Sequence, residues 1–275
     1  MTDLRIARLA AAALVEEVYT TPKPGLVDLN NTGAHRDMTV QTFLYSAAAL
    51  QPYFREMAEL GRTLPQEDLL PALRASGIRA EAAMFKATDG VNTHKGALFS
   101  LGMLCGCTGR FLAMNRRPSA EDLCGLAADL TRGICARELG VGDETHGQGV
   151  FRKYGARGIR GEAESGFASV RMYSLPRFRQ ELERGTEYGE AAVKALLSLI
   201  SHVPDTTVLH RRGEKIAAWA AEEAARCLAD YREDTVLELD RAFIRENVSH
   251  GGCADLLAVT IFLHRLETEW DSAEV

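Results

Sequence analysis

The chain has 275 residues, a formal net charge of −6, and 46% hydrophobic and 25% charged residues; such a chain can bury a substantial core, which excludes disorder, and its acidic sign excludes a general nucleic-acid binder. Alanine (39) and leucine (33) far outnumber valine and isoleucine together (23), which favours helix and excludes a sheet-dominated fold. No apolar run reaches the ~18 residues of a membrane span, and the N-terminus, Met1-Thr-Asp-Leu-Arg5, lacks a signal peptide's layout, so a cytoplasmic protein that binds neither membrane nor nucleic acid is expected.

Periodicity and capping residues predict about nine helices or more, in one all-α domain spanning residues 1–275 with long functional loops. The first covers residues 3 to 19, with Ile6, Leu9, Ala13, Leu14 and Val18 on one stripe, stopped by Pro22 and Pro24. A second starts at the N-cap Thr39 and continues or kinks at Pro52 toward Leu60; a third covers about 66 to 87. Thr93 is expected to cap a fourth through Leu98, Leu101, Leu104 and Phe111. Ser119 and Asp122 resemble a capping box opening a helix that ends near Leu139. Eight of the 24 glycines then fall between Gly140 and Gly166, which predicts a long loop or a place where backbone approaches a ligand. Beyond it, helices are expected over Leu175 to Arg184, Thr186 to Ser201, Gly213 to Tyr231, Thr235 to Glu246 and Gly252 to Trp270. No internal repeat and no Ser/Pro/Gly-rich linker divides the chain. Six cysteines (Cys105, Cys107, Cys124, Cys135, Cys227, Cys253) contain no C-x-x-C and sit in Ala/Leu-rich context, so they are expected to be buried reduced thiols.

Polar residues with little to do in folding collect in five connections. These are Thr20 to Asp28 running on to Asn31–Asp37, Gly90 to Gly96, Thr145 to Gly166, Asp205 to Arg211, and Asn247 to Asp255. Walker, dinucleotide-binding, HExxH, GxSxG and HD signatures are all absent from the sequence. In Gly90-Val-Asn92-Thr-His94-Lys95-Gly96 a helix N-terminus carries free N–H groups and a positive dipole end, to which Lys95 adds a charge, a phosphate cradle. The same residues also read as a plain capped helix start with a solvated lysine. Arg157 and Arg160 offer donors for phosphate oxygens, and Glu162 and Glu164 offer carboxylates for a hard cation; the alternative is a surface ion-pair network. His35 could equally hydrogen-bond within its loop. Asp28, Asp37, Asp205 and Asp255 are individually ambiguous, because Asp also caps turns and helices.

Taken together, these segments resemble the triphosphoribosyl-dephospho-CoA synthases. The resemblance runs through Thr21-Pro-Lys23-Pro-Gly-Leu-Val-Asp28, Gly33-Ala-His35-Arg-Asp37-Met38, Val91-Asn-Thr-His-Lys-Gly96, Arg160-Gly-Glu-Ala-Glu-Ser-Gly-Phe167, Asp205-Thr206 and Gly251-Gly-Cys-Ala-Asp-Leu-Leu257. It spans roughly residues 10 to 265, and six blocks in order are far more specific than any one of them. The chain departs from the family pattern at Leu29, Thr207 and His250. The resemblance implies transfer of the 5-triphosphoribosyl group of ATP to the 2′-hydroxyl of 3′-dephospho-CoA with release of adenine. The product would be the prosthetic-group precursor for the acyl carrier protein of citrate lyase or malonate decarboxylase, passed on to a separate acyl-carrier-protein transferase. It further implies Mg²⁺ accompanying ATP. The roles it implies are Glu162, Glu164, Asp28 and Asp37 as catalytic, with Glu162 and Glu164 also as Mg²⁺ ligands. Lys23, His35, Asn92, His94, Lys95, Arg157, Arg160, Asp205 and Asp255 are implied to bind substrate. The competing readings are a Mg²⁺-dependent nucleotide phosphohydrolase of helical fold and a non-catalytic nucleotide-binding helical protein.

Overall fold

The computed structural model describes residues 1–139 and 146–271, and every described element is helical. α1 (Asp3–Tyr19) begins where Thr2 accepts the Arg5 N–H, and its buried stripe of Ile6, Leu9, Ala13, Leu14 and Val18 is the expected one. α2 (Val40–Thr63) opens on a Thr39–Thr42 capping box and passes through Pro52. α3 (Gln66–Ala87) follows Pro65. α4 (Lys95–Ala113) departs from expectation in its cap: the N-cap residue is His94, and the Thr93 hydroxyl donates instead to Ser46 on α2. The Ser119–Asp122 capping box opens α5 (Ala120–Thr131) as expected. The expected run to Leu139 breaks, however, because Gly133 adopts φ 74° and a separate short helix, α6 (Ile134–Glu138), starts after it.

The glycine segment is not a single open loop. It carries α7 (His146–Tyr154) and α8 (Gly158–Glu164), with Gly155 (φ 72°) and Gly158 (φ 54°) turning the chain between them. Residues 140–145, with Gly140, Gly142 and Thr145, lie outside the described residues. A π-helical turn, Val170–Ser174, leads into α9 (Leu175–Glu183) and α10 (Tyr188–His202). α11 (Thr206–Arg212) was expected to be irregular; it forms because the Asp205 carboxylate accepts the Thr207 N–H at 2.8 Å and caps it. α12 (Glu214–Ala229), α13 (Glu233–Arg245) and α14 (Gly251–Glu269) complete the chain.

A continuous apolar core runs from Ile6 on α1 to Leu266 on α14. α4 lies at its centre. By length and composition this helix could cross a membrane, contrary to the sequence expectation, but 72% of its apolar window is buried against other helices, the pattern of a core helix. Glycines on both helices bring the α2 and α4 backbones into contact: a Cβ on Gly61 of α2 would lie 1.8 Å from the Gly106 carbonyl oxygen, and one on Gly109 of α4 would lie 1.9 Å from that of Ala58. All six cysteines are buried free thiols. The consequence for function is that the N-termini of α4 and α14 come together with the segment linking α1 to α2, and α8 and α11 close over the same end.

Candidate active site

Two connected cavities occupy that end. The inner one, about 170 Å³, lies beneath the 20–39 segment; the outer one, about 1120 Å³, runs between α3, α4, α8 and α11. They share Asn92, Lys95, Gly96, Thr207, Arg211 and Asp255. The junction is therefore the start of α4 facing the first turns of α14 and α11.

The segment from Thr20 to Met38 is irregular, and its stretch from Pro22 to Asp28 is buried throughout, so the backbone groups there need partners. Asp28 supplies several: one carboxylate oxygen accepts the Lys23 N–H at 2.8 Å, the other the N–H groups of Asn30 at 2.8 Å and Asn31 at 3.0 Å. Asp240 on α13 supplies others, accepting from the Gly25 N–H and the Asn31 amide. Gly25 (φ 69°) packs so tightly that a Cβ would sit 2.2 Å from the Val248 carbonyl oxygen. Thus Asp28 organises the loop that presents Lys23 to the inner cavity. Lys23 is itself buried in an ion pair with Glu17 of α1, and burial raises the Glu17 pKa against the pull of that lysine.

His35 lines the inner cavity and its Nε2 lies 2.8 Å from the Ser249 hydroxyl; burial and Arg211 lower its pKa, against the opposing effect of Asp37. Asp37 is exposed, 3.7 Å from His35 Nδ1, and lines neither cavity. His94 is 3% exposed and packs edge-on against Phe43. Its Nδ1 lies 2.7 Å from the Ser46 hydroxyl, while Nε2 is buried with no hydrogen-bond partner. Burial, reinforced by Lys23, lowers its pKa to about 3, so the ring is neutral.

Asp255 borders both cavities. Its carboxyl approaches the start of α4 closely enough that a Cβ on Gly96 would be 2.0 Å from Oδ2, and it accepts the Ala97 N–H. Burial and the nearby Glu17 raise its pKa well above the usual carboxylate range. Gly252 makes similar room for Asp205, whose second oxygen accepts the Cys253 N–H at 2.9 Å. The glycines of the Lys-Gly and Gly-Gly blocks thus admit carboxylates to helix N-termini.

The cations expected to bind phosphate all line the outer cavity, and each is ion-paired: Lys95 with Glu81 at 2.6 Å, Arg160 with Glu138 at 2.8 Å, and Arg157 with Glu164 at 4.0 Å. Exposed pairs of this kind contribute only about 0–1 kcal/mol, so a polyanion can displace the carboxylates. Arg74, also paired with Glu138, and Arg211 join them.

Glu162 and Glu164 do not share a site. Because α8 forms, residues two apart point to different sides of the helix. Glu162 lines the outer cavity and binds the Ser169 hydroxyl at 2.6 Å and N–H at 3.2 Å, with its pKa raised by burial. Glu164 points away to Cys135, whose thiol, with the Gly133 N–H, lowers its pKa. Among the described residues no group of three or more metal-ligating side chains gathers, and of the expected Glu162–Glu164 pair only Glu162 lines the outer cavity.

The sequence reading passed over Glu17, Arg74, Arg211 and Asp240. Arg211 stood inside a flagged cluster without a role; the other three sit on helices, where periodicity reads them as ordinary polar positions.

A family model described as ATP:dephospho-CoA triphosphoribosyl transferase matches residues 3–274. A 2-(5''-triphosphoribosyl)-3'-dephosphocoenzyme-A synthase of Pectobacterium atrosepticum is 40% identical over 272 residues, covering 97% of this chain and 90% of that one. A Citrobacter koseri protein, named as a probable synthase of the same kind, is 41% identical over 271 residues, covering 94% and 90%. A crystal structure from Archaeoglobus fulgidus, described as a candidate triphosphoribosyl-dephospho-CoA synthase, superposes with a TM-score of 0.57 at 21% identity over 82% of this chain and 98% of that one, a likeness of fold. By this sequence match over nearly its whole length, the chain is a transferase belonging to the ATP:dephospho-CoA triphosphoribosyl transferase family.

Proposed function

We propose that this protein transfers the 5-triphosphoribosyl group of ATP to the 2′-hydroxyl of 3′-dephospho-CoA and releases adenine. The observation that carries the reading is the junction itself: a small chamber and a large cation-lined one meet at Asp255 and the N-terminus of α4. A reaction at ribose C1 needs this division, because three parts, base, triphosphate and acceptor, must meet at one carbon. Lys95, Arg157, Arg160 and Arg211 supply charge for the triphosphate, which is gripped and not cleaved. The apolar side of the outer cavity, with Leu70, Leu73, Ile78, Phe99 and Met103, suits the pantetheine arm of the acceptor.

In this reading the acceptor oxygen bonds to C1 as the C1–N9 bond breaks, its electron pair leaving with adenine. Glu162, a carboxylate of raised pKa on the outer cavity, takes the hydroxyl proton. Asp255, held toward its neutral form at the junction, gives a proton to the departing base. Of the four carboxylates the family resemblance marked as catalytic, Glu162 alone lines the cavities. Mg²⁺, when bound, would neutralise triphosphate charge; among the described residues no group of three or more metal-ligating side chains gathers to cage it. The product would serve as prosthetic-group precursor for an acyl carrier protein of citrate lyase or malonate decarboxylase and pass to a separate transferase.

The deciding experiment is an incubation of protein, Mg-ATP and 3′-dephospho-CoA followed by mass spectrometry. Adenine and the triphosphoribosyl adduct are expected only when the acceptor is present. ADP, AMP or pyrophosphate in place of adenine overturns the reading. Lys95→Ala is expected to weaken ATP binding, and unchanged affinity would return that residue to a capped, solvated helix start.

A further inference from the structure

The inner cavity is built for something other than a polyanion. Of the charges that line it, Lys23 and Glu17 are its own and cancel in a buried pair, while Lys95, Arg211 and Asp255 are shared with the outer cavity; its walls include Val27, Met38 and Phe43. At about 170 Å³ it falls below the ~300 Å³ that a drug-sized ligand needs, and suits a flat fragment of a larger one. His94, one of its lining residues, carries an unmet demand. The Thr93 hydroxyl donates to Ser46 Oγ at 2.8 Å, which leaves the Ser46 hydrogen for His94 Nδ1 at 2.7 Å. The neutral imidazole therefore carries its proton on Nε2, and that buried N–H has no acceptor in the protein. Buried donors are rarely left so, and the cost of one points to a ligand that completes it.

We propose that the inner cavity holds the purine ring of the nucleotide, with the His94 Nε2–H donating to a ring nitrogen of the base while the triphosphate extends into the outer cavity. This assignment rests on the proposed transfer reaction and adds to it a base-recognition residue. The neutral imidazole keeps its proton throughout. It stabilises the electron pair that the breaking C1–N9 bond leaves on the purine, and the proton that adenine takes up comes from the junction carboxyl. Selectivity follows from the same contact. A base without an acceptor nitrogen facing His94 leaves the donor unpaired, and a pyrimidine leaves part of the cavity unfilled.

The test measures equilibrium binding of Mg-ATP and its 1-deaza, 3-deaza and 7-deaza analogues to the wild-type protein and to His94→Leu, by calorimetry. At least one analogue is expected to bind the wild type about 10-fold more weakly than ATP. In His94→Leu the same penalty disappears, the ATP/analogue ratio falling to near 1, while affinity for inorganic tripolyphosphate is unchanged. Equal wild-type binding of all analogues, or a penalty that persists in His94→Leu, overturns the assignment. If the leucine variant fails to fold, Ser46→Ala replaces it: freeing Nδ1 unfixes the tautomer and shrinks the penalty, and a full penalty there overturns the proposal. Adenine release by the wild type is read in parallel. Release without the His94 effect sinks the purine site alone; absence of release sinks the reaction.

Discussion

Gly96→Ala tests the junction most directly, because two effects of known size oppose each other. Alanine near the start of α4 would gain up to about 1 kcal/mol of helix propensity. The new Cβ, however, would lie 2.0 Å from Asp255 Oδ2 and 2.9 Å from its Cγ, against the ~3.5 Å of an ordinary contact. The carboxyl must retreat by roughly 1.5 Å to restore that spacing and give up the Ala97 N–H. Overpacking and the lost hydrogen bond together cost about 1–3 kcal/mol, so the clash outweighs the propensity. A displacement of an ångström at a reacting group costs about 100-fold in rate. The expected outcome is a folded protein, destabilised by about 0–2 kcal/mol in urea titration, whose adenine release falls by about 100-fold. Gly125→Ala on α5 is the control: a Cβ there meets nothing within 4 Å, so it should gain up to about 1 kcal/mol with full activity. Gly96→Ala retaining activity within a few-fold, or gaining stability as the control does, would refute the placement of Asp255.

Glu162→Gln should lower turnover by at least ~100-fold while Glu164→Gln changes it little; equal losses in steady-state assays would mean that both carboxylates act together despite their divergence on α8. Gly61→Ala places a Cβ 1.8 Å from the Gly106 carbonyl oxygen, backbone that has no freedom to yield, and should cost about 3 kcal/mol or more in denaturant unfolding; a loss under about 1 kcal/mol would contradict the close α2–α4 crossing. His94 is neutral when folded, with its pKa lowered to about 3 from 6.5. Its contribution is therefore fully present above pH 6.5 and is lost as pH falls toward 3, because the unfolded chain takes up a proton that the native state refuses. Between pH 7.5 and 5 the wild type should lose about 2 kcal/mol more than His94→Gln, measured by urea unfolding at both values; parallel losses would show that the ring accepts its proton in the fold.

The helices were legible because their signals are local. Thr2, Thr39 and Ser119 cap within three residues of themselves, and the stripes of α1, α2 and α10 repeat within a turn or two. The missed breaks have equally local causes that composition hides: Gly133 interrupts one helix at positive φ, and Asp205 starts another by capping it. The six polar blocks, and with them the family, were also legible, since they are contiguous strings.

What the amino-acid order determined by itself is thus an all-α scaffold, the identity of the polar connections, and membership in a transferase family. The placement of residues within those connections came from the tertiary structure. Asp28 holds its loop together because three backbone N–H groups converge on its carboxylate. Glu162 and Glu164 parted because the glycine segment coils there. Asp255 reached the junction because Gly96, far from it in the chain, leaves room for its carboxyl, and His94 Nε2 was left without a partner because Ser46 from α2, held by the neighbouring Thr93, takes up Nδ1. Caps and periodicities act over a few residues and leave their mark in the sequence. Proximity at a site is set by how buried helices cross, a sum over many weak packing contacts that no single string of residues encodes.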